Sequence, residues 1–307
     1  MAKFSIFHVE GGLGKNIAST PVVKAIKLKY PDRKLIVTCS YPEIFLNNEY
    51  VDRVLPLGHT PYFYQDYIED KDTIFFRQEP YNHSNHISKK TPIHETWFSM
   101  YDLEYDKDKI EPYIPMNMVQ FELTRKYRRN KPIFLIHTGG GMHEGQDKNY
   151  TWTRDMPPSL AIDATNAAIS NGYHVIQITR DDGYTLDAAE VIKNKIPNME
   201  LFAILLNSNK RLLIDSCLQH ASSAFKLPST VCWVGTSPEM FGYNLHTNIV
   251  ANKPKIKPKM LDSYLFDYDF SGHYHQCPYR NDKEIFDTVS VIKTLELNSN
   301  QSSCGSC

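Results

Sequence analysis

Net charge is almost absent from this sequence: 34 Lys and Arg face 35 Asp and Glu, a formal −1 over 307 residues. That balance supplies no general attraction to nucleic acid or to an anionic membrane, although a local basic face can still exist. No apolar run approaches the ~20 residues that a membrane-spanning helix requires. The first residues, Met1 to Ile6, lead into a strand pattern without a long apolar stretch, so no signal peptide is expected. Cysteine is scarce, with six in the chain. Cys39, Cys217 and Cys232 sit in apolar surroundings, where reduced core thiols belong. Cys304 and Cys307 form a lone CxxC on a Ser/Asn-rich tail with no third or fourth ligand beside it. A zincin's second histidine is also missing, because Phe98 occupies that place after His94-Glu95. His83 and His86 could suggest a metal, as could His273 and His275, but the last two alternate along an extended segment without a partner acid in sequence, and no metal is expected. The expectation is a cytoplasmic protein without a bound metal or cofactor.

Material for real cores is present, with 41% hydrophobic and 12% aromatic residues. The length suits two domains better than one. Lys3–Val9 reads as a strand that stops at Glu10-Gly11-Gly12-Leu13-Gly14. A helical pattern follows through Ile17, Val22, Val23, Ile26 and Leu28. Lys34–Thr38 is a second strand, Pro42–Leu46 a short helix and Val51–Leu57 a third strand. This β-α-β-α-β order is the mark of a parallel sheet covered by helices. From Gly58 to Pro92 the chain becomes Tyr-rich and irregular, with one strand at Thr73–Phe76. A helix is expected from His94 to Leu103, and extended chain at Glu111–Met116, where prolines enforce it.

The polar, basic stretch Lys126–Pro132 reads as a linker, and a fresh strand begins at Ile133. The alternation then repeats: helix Pro157–Ser170, strand Tyr173–Thr179, helix Thr185–Lys195. An apolar run next ends at Asp215-Ser216, with a helix to Phe225 and a strand at Thr230–Val234. Asn252–Pro278 is loop-rich. A last helix, Asp282–Leu297, carries an apolar stripe of Ile285, Phe286, Val289, Ile292 and Leu295 that needs a surface to cover it. The expected fold class is α/β, two Rossmann-like doubly wound domains facing a cleft. The expected division is 1–128, 129–280, a C-terminal helix at 281–298 and a flexible tail at 299–307.

Two glycine-rich turns stand at strand ends, where backbone can approach a ligand closely. The first, Glu10–Asn16, suggests a P-loop because Gly14-Lys15 precedes a helix. A Walker pattern, however, wants glycine at Val9 and Ser or Thr at Asn16. A plain tight turn is the other reading. The second, His137-Thr138-Gly139-Gly140-Gly141, precedes a polar loop with Lys148, Tyr150, Trp152 and Arg154. Lys148 or Arg154 folded over a diphosphate would neutralise it. At Asp215-Ser216 a strand hands over to a helix, whose first N–H groups suit a phosphate. An Asp/Ser helix cap explains the same residues.

Four pieces together resemble the GT-B glycosyltransferases of the heptosyltransferase type, glycosyltransferase family 9, over nearly the whole chain. They are Gly11-Gly12-Leu13-Gly14 with Ala18–Ile26 and Lys29-Tyr30-Pro31; Pro42-Glu43 with Asn47–Val54; His137–Gly141 with Trp152; and Asp215–Ala221 with Leu227–Thr230 and Gly235–Pro238. The resemblance implies inverting, metal-independent transfer from a nucleotide-diphosphate sugar to a hydroxyl of a glycan, lipid-linked saccharide or other acceptor. It implies a donor held by the C-terminal domain and an acceptor presented by the N-terminal one. It assigns the donor to Thr138, Gly139, Gly140, Lys148, Asp181 (or Asp182), Asp215, Ser216, His220 and Thr236. Gly12, Asn16 and His94 fall to the acceptor. The final helix would cross back onto the N-terminal domain.

Two departures matter. The first glycine loop of heptosyltransferases usually ends in Asp, and Lys15 stands there. Cys217 replaces the usual Gly after the Asp-Ser pair. Lysine is a poor base unless desolvated, so Glu10 is the first candidate for the base, then His8 or His94. The alternatives from other classes are a nucleotide-binding or NTP-hydrolysing protein using Gly11–Asn16, and a non-catalytic sugar-nucleotide binder. The Tyr-rich segment from Tyr62 to Tyr81 suits an acceptor surface, because aromatic faces stack on sugars, and suits a self-packed loop equally.

Overall fold

The computed structural model describes residues 1–58, 60–140, 150–254 and 277–297. Lys148, His273, His275 and the Cys304/Cys307 pair lie outside the described residues. The chain divides into two compact units, Met1–Phe121 with Ser223–Phe225, and Glu122–Ser222 with the chain from Lys226 onward.

The first unit runs β1 (Lys3–Val9), α1 (Leu13–Ala18), α2 (Thr20–Lys29), β2 (Lys34–Cys39), a 3-10 turn at Pro42–Ile44, and β3 (Arg53–Pro56). It continues with α3 (Phe63–Tyr67), β4 (Asp72–Phe76), α4 (Ser84–Ile87) and α5 (Ile93–Met100). Helix α6 (Met118–Lys126) follows. The four strands form a parallel sheet in the order β3-β2-β1-β4. His8 stands opposite Thr38 on β2, and Phe7 opposite Phe76 on β4. The strand interiors, Ile6, Phe7, Ile36 and Val37, are buried, as a parallel sheet covered on both faces requires.

The second unit contains β5 (Ile133–His137), α7 (Pro158–Ser170), β6 (His174–Thr179), β7 (Glu190–Lys193), α8 (Asn198–Asn207) and β8 (Lys210–Ile214). It then adds α9 (Cys217–Ala224), β9 (Thr230–Trp233), α10 (Pro238–Phe241), β10 (Thr247–Val250) and α11 (Thr288–Thr294). Its six strands are parallel, in the order β10-β9-β8-β5-β6-β7. All five residues of β5 are buried, which suits a central strand with helices on both sides. Among the described residues, no helix is long and apolar enough to cross a membrane.

Several elements differ from the sequence expectation. The first long helix is two, α1 and α2, divided at Ser19, whose hydroxyl bonds the Asn16 carbonyl at 2.8 Å. Instead of a helix at Thr185–Lys195 there is strand β7. Its Val191 and Ile192 pair with Gln177 and Ile178 of β6, so sheet pairing takes the β-branched residues. Helices α6 and α8 and strand β10 were not anticipated.

The last helix is shorter than its stripe suggests. A 3-10 turn at Asp282–Glu284 precedes α11, and the break turns Val289 outward, 78% exposed. Ile285, Phe286, Val291 and Leu295 are buried with Leu160, Ala161 and Ala164 of α7. The sequence expected this stripe on the N-terminal domain; the burial observed is on α7, within the second unit. Alanines spaced along α7 leave room for close packing, which supplies the physical reason.

Candidate active site

Open parallel sheets bind ligands beyond the carboxyl ends of their strands, where the strand order reverses. In the first unit the chain moves outward from β1 to β3 and returns on the other side as β4. The reversal therefore lies between β1 and β4. In the second it lies between β5 and β8. Both glycine turns and the Asp215-Ser216 edge fall at these two points.

At the β1 edge, Gly11 adopts φ +98°, a left-handed conformation that favours glycine. A Cβ there would meet Lys15 Cδ at 3.3 Å. Asn16 is fully buried beneath the turn, its amide donating to the carbonyl of Gly12 at 3.0 Å and of Gly11 at 3.4 Å. Lys15 forms an ion pair with Glu79, just after β4, and its Nζ lies 5.5 Å from the Tyr81 ring centroid. His8 shares a 2.9 Å hydrogen bond with Thr38 through Nδ1. Burial lowers the pKa of His8, with Glu10 opposing. His8, Glu10, Lys15, Arg77 and Glu79 line a small open pocket. His94 lies apart from it, buried, with Nε2 2.9 Å from the Ala18 carbonyl. Its pKa is lowered to about 4 by desolvation, which describes a neutral imidazole tying α5 to α1.

At the second edge, the Gly139-Gly140 turn passes close beneath its neighbours. A Cβ on Gly140 would stand 3.4 Å from Ser216 Oγ, and one on Gly139 would stand 3.0 Å from Thr179 Oγ1. Thr138 is buried; its hydroxyl accepts from Gln177 Nε2 at 2.6 Å. Asp215 accepts from the Thr236 hydroxyl at 2.6 Å, and its carbonyl accepts from Arg154 Nη2 at 3.0 Å. Thus Thr138, Gly139, Gly140, Asp215, Ser216 and Thr236 gather at the ends of β5, β8 and β9. His220 is one turn into α9, buried, sharing a 2.7 Å hydrogen bond with the Tyr243 hydroxyl. Asp181 instead pairs with Lys195 on the surface.

The turn is held from below by two residues that sequence reading did not single out. Asp155 accepts from the Thr151 N–H at 2.8 Å and the Gly140 N–H at 3.3 Å, and pairs with Arg180. Both side chains are buried. Burial pushes the Asp155 carboxyl up, while Arg180 and the two N–H groups oppose it. Glu79 was missed likewise. Only the pairing of β4 beside β1 brings it to the first turn, and no local signal marks that pairing. Among the described residues, no group of three or more His, Cys, Asp or Glu is placed to hold a metal.

No protein-family profile matches the sequence, and no curated protein matches it. Solved structures do. One is the glycosyl transferase family 9 protein of Veillonella parvula DSM 2008, with TM-score 0.63 and 11% identity, covering 97% of this chain and 98% of that one. The chain shares the fold of the heptosyltransferases. E. coli ADP-heptose LPS heptosyltransferase II superposes with TM-score 0.61 at 11% identity, covering 95% of this chain and 99% of its own. The iron-containing dodecameric glycosyltransferase TibC of enterotoxigenic E. coli H10407 gives 0.65 at 17% identity, covering 96% and 77%. The heptosyltransferase fold thus extends over both units.

Proposed function

We propose that the chain is an inverting, metal-independent glycosyltransferase that moves a sugar from a nucleotide-diphosphate donor to a hydroxyl acceptor. The second unit takes the donor at Thr138, Gly139, Gly140, Asp215, Ser216 and Thr236. The first takes the acceptor at the edge formed by Gly12, Lys15 and their neighbours. The observation that carries this reading is the Gly140 backbone lying against Ser216 at the reversal point of a fold shared with heptosyltransferases. Such a turn, beside the start of the eight-residue helix α9, suits a phosphate.

In a direct displacement, the acceptor oxygen bonds to the anomeric carbon as the diphosphate leaves. Arg154, which reaches the Asp215 carbonyl just after β8, and the first N–H groups of α9 stabilise the charge that develops on the leaving group. The group that takes the acceptor proton belongs to the β1 edge, where Glu10 and His8 stand.

Nucleotide hydrolysis at Gly11–Asn16 is the competing reading. It requires a lysine facing phosphate, and Lys15 is held by Glu79. Thermal shifts across nucleotide diphosphates and their sugars, beginning with ADP-heptose, test the two. A ligand selective for the folded state raises the melting point. Asp215→Ala is expected to remove that rise. Its loss in Lys15→Met alone would overturn the transferase reading.

A further inference from the structure

We propose that Glu79 is a catalytic residue, the carboxylate that takes the proton from the acceptor hydroxyl, and that Lys15 is its positioning residue. This rests on the transferase reading and names the group that reading leaves open. Two carboxylates line the pocket between β1 and β4, Glu10 and Glu79. Glu10 is exposed at the end of its strand. Glu79 is fixed before any substrate arrives. Its Oε2 pairs with Lys15, its Oε1 accepts from the Tyr81 N–H at 3.4 Å, and it caps the 3-10 turn Pro80–Asn82.

Lys15 is itself immobilised. Its side chain is only 12% exposed, crosses Gly11 and lies near the Tyr81 ring. His8, the other nearby base, has Nδ1 engaged with Thr38. At 31% exposure the Glu79 side chain stays reachable. A base already aimed costs no reorganisation when the reaction occurs. The step balances. The acceptor O–H proton passes to Glu79 as the acceptor oxygen bonds the anomeric carbon. The carbon–oxygen bond to the diphosphate breaks, and its electron pair departs with the diphosphate. Solvent then takes the proton from Glu79.

The test uses the full chain, ADP-heptose and a panel of nucleotide sugars as donors, and simple methyl glycosides as acceptors, with nucleoside diphosphate release as the signal. Glu79→Gln is expected to lower kcat by roughly 100-fold or more, with donor KM and the donor-induced melting-point rise retained. Glu79→Asp should recover part of the rate. Lys15→Met should lower kcat, and Lys15→Arg should restore most of it. Full activity in Glu79→Gln, with loss in Glu10→Gln, overturns the inference and leaves the transferase reading standing. A wild-type chain that transfers from no donor overturns both.

Discussion

Thr236 donates its hydroxyl to the Asp215 carboxylate at 2.6 Å, tying the end of β9 to the end of β8. The two residues are 21 positions apart, and parallel pairing of Leu213 with Val231 and Ile214 with Cys232 brings their strands into register. This bond orients the Asp215 side chain at the edge proposed for the donor, while the Asp215 carbonyl engages Arg154.

Thr236→Val keeps the shape and removes the donor. The lost hydrogen bond is worth about 1 kcal/mol, so nucleotide affinity is expected to weaken roughly fivefold. Titration calorimetry with ADP or the nucleotide selected by thermal shift measures this. An unchanged Kd would remove the Asp215 orientation from the donor site.

Asp155→Ala removes the buried one of the two carboxylates paired with Arg180, leaving only the half-exposed Asp182 at 3.3 Å, and frees the N–H groups of Gly140 and Thr151. Breaking such a pair costs about 3–5 kcal/mol. Urea unfolding should show the lower midpoint. Replacing Asp155 and Arg180 together by apolar residues should recover part of the loss, because the buried guanidinium, then paired only with Asp182 near the surface, is removed as well. A single variant as stable as wild type would contradict the buried geometry.

Three buried histidines predict acid sensitivity. His94, His137 and His246 each have a pKa lowered to about 4, with desolvation the largest cause. Above the unfolded value near 6.5 both states are neutral. As pH falls from there toward 4, the unfolded chain binds protons that the folded chain refuses, and stability drops. Each histidine contributes a slope of up to ~1.4 kcal/mol per pH unit across that window. Denaturation midpoints between pH 7 and pH 4 should fall steadily, and His94→Gln should flatten the curve. A midpoint independent of pH over this range would refute the assignment.

Gly235 donates its N–H to the Thr153 carbonyl at 2.8 Å, and a Cβ there would stand 2.8 Å from the same oxygen. Gly235→Ala therefore forces the Thr151–Asp155 segment away from the end of β9. Overpacking of this kind costs about 1–3 kcal/mol. Because Arg154 lies on that segment, nucleotide binding should weaken with stability, which paired thermal shifts with and without ligand will show.

Local patterning determined much of this protein. The strand runs Lys3–Val9, Lys34–Cys39 and Ile133–His137, the glycine turns behind them, and the helix opening after Asp215-Ser216 were legible, because burial on both faces of a parallel strand demands an unbroken apolar run. What escaped was set by pairing between distant segments. Val191 and Ile192 are strand because the edge of β6 was open to them, and Val289 is exposed because the stripe is divided between the 3-10 turn at Asp282–Glu284 and α11, which packs on α7. The same holds for the site. Asp215 and Gly140 announce themselves locally, through turn chemistry. Glu79 beside Lys15 and Arg180 beside Gly139 are 64 and 41 positions away along the chain, and only the order of strands in each sheet makes them neighbours.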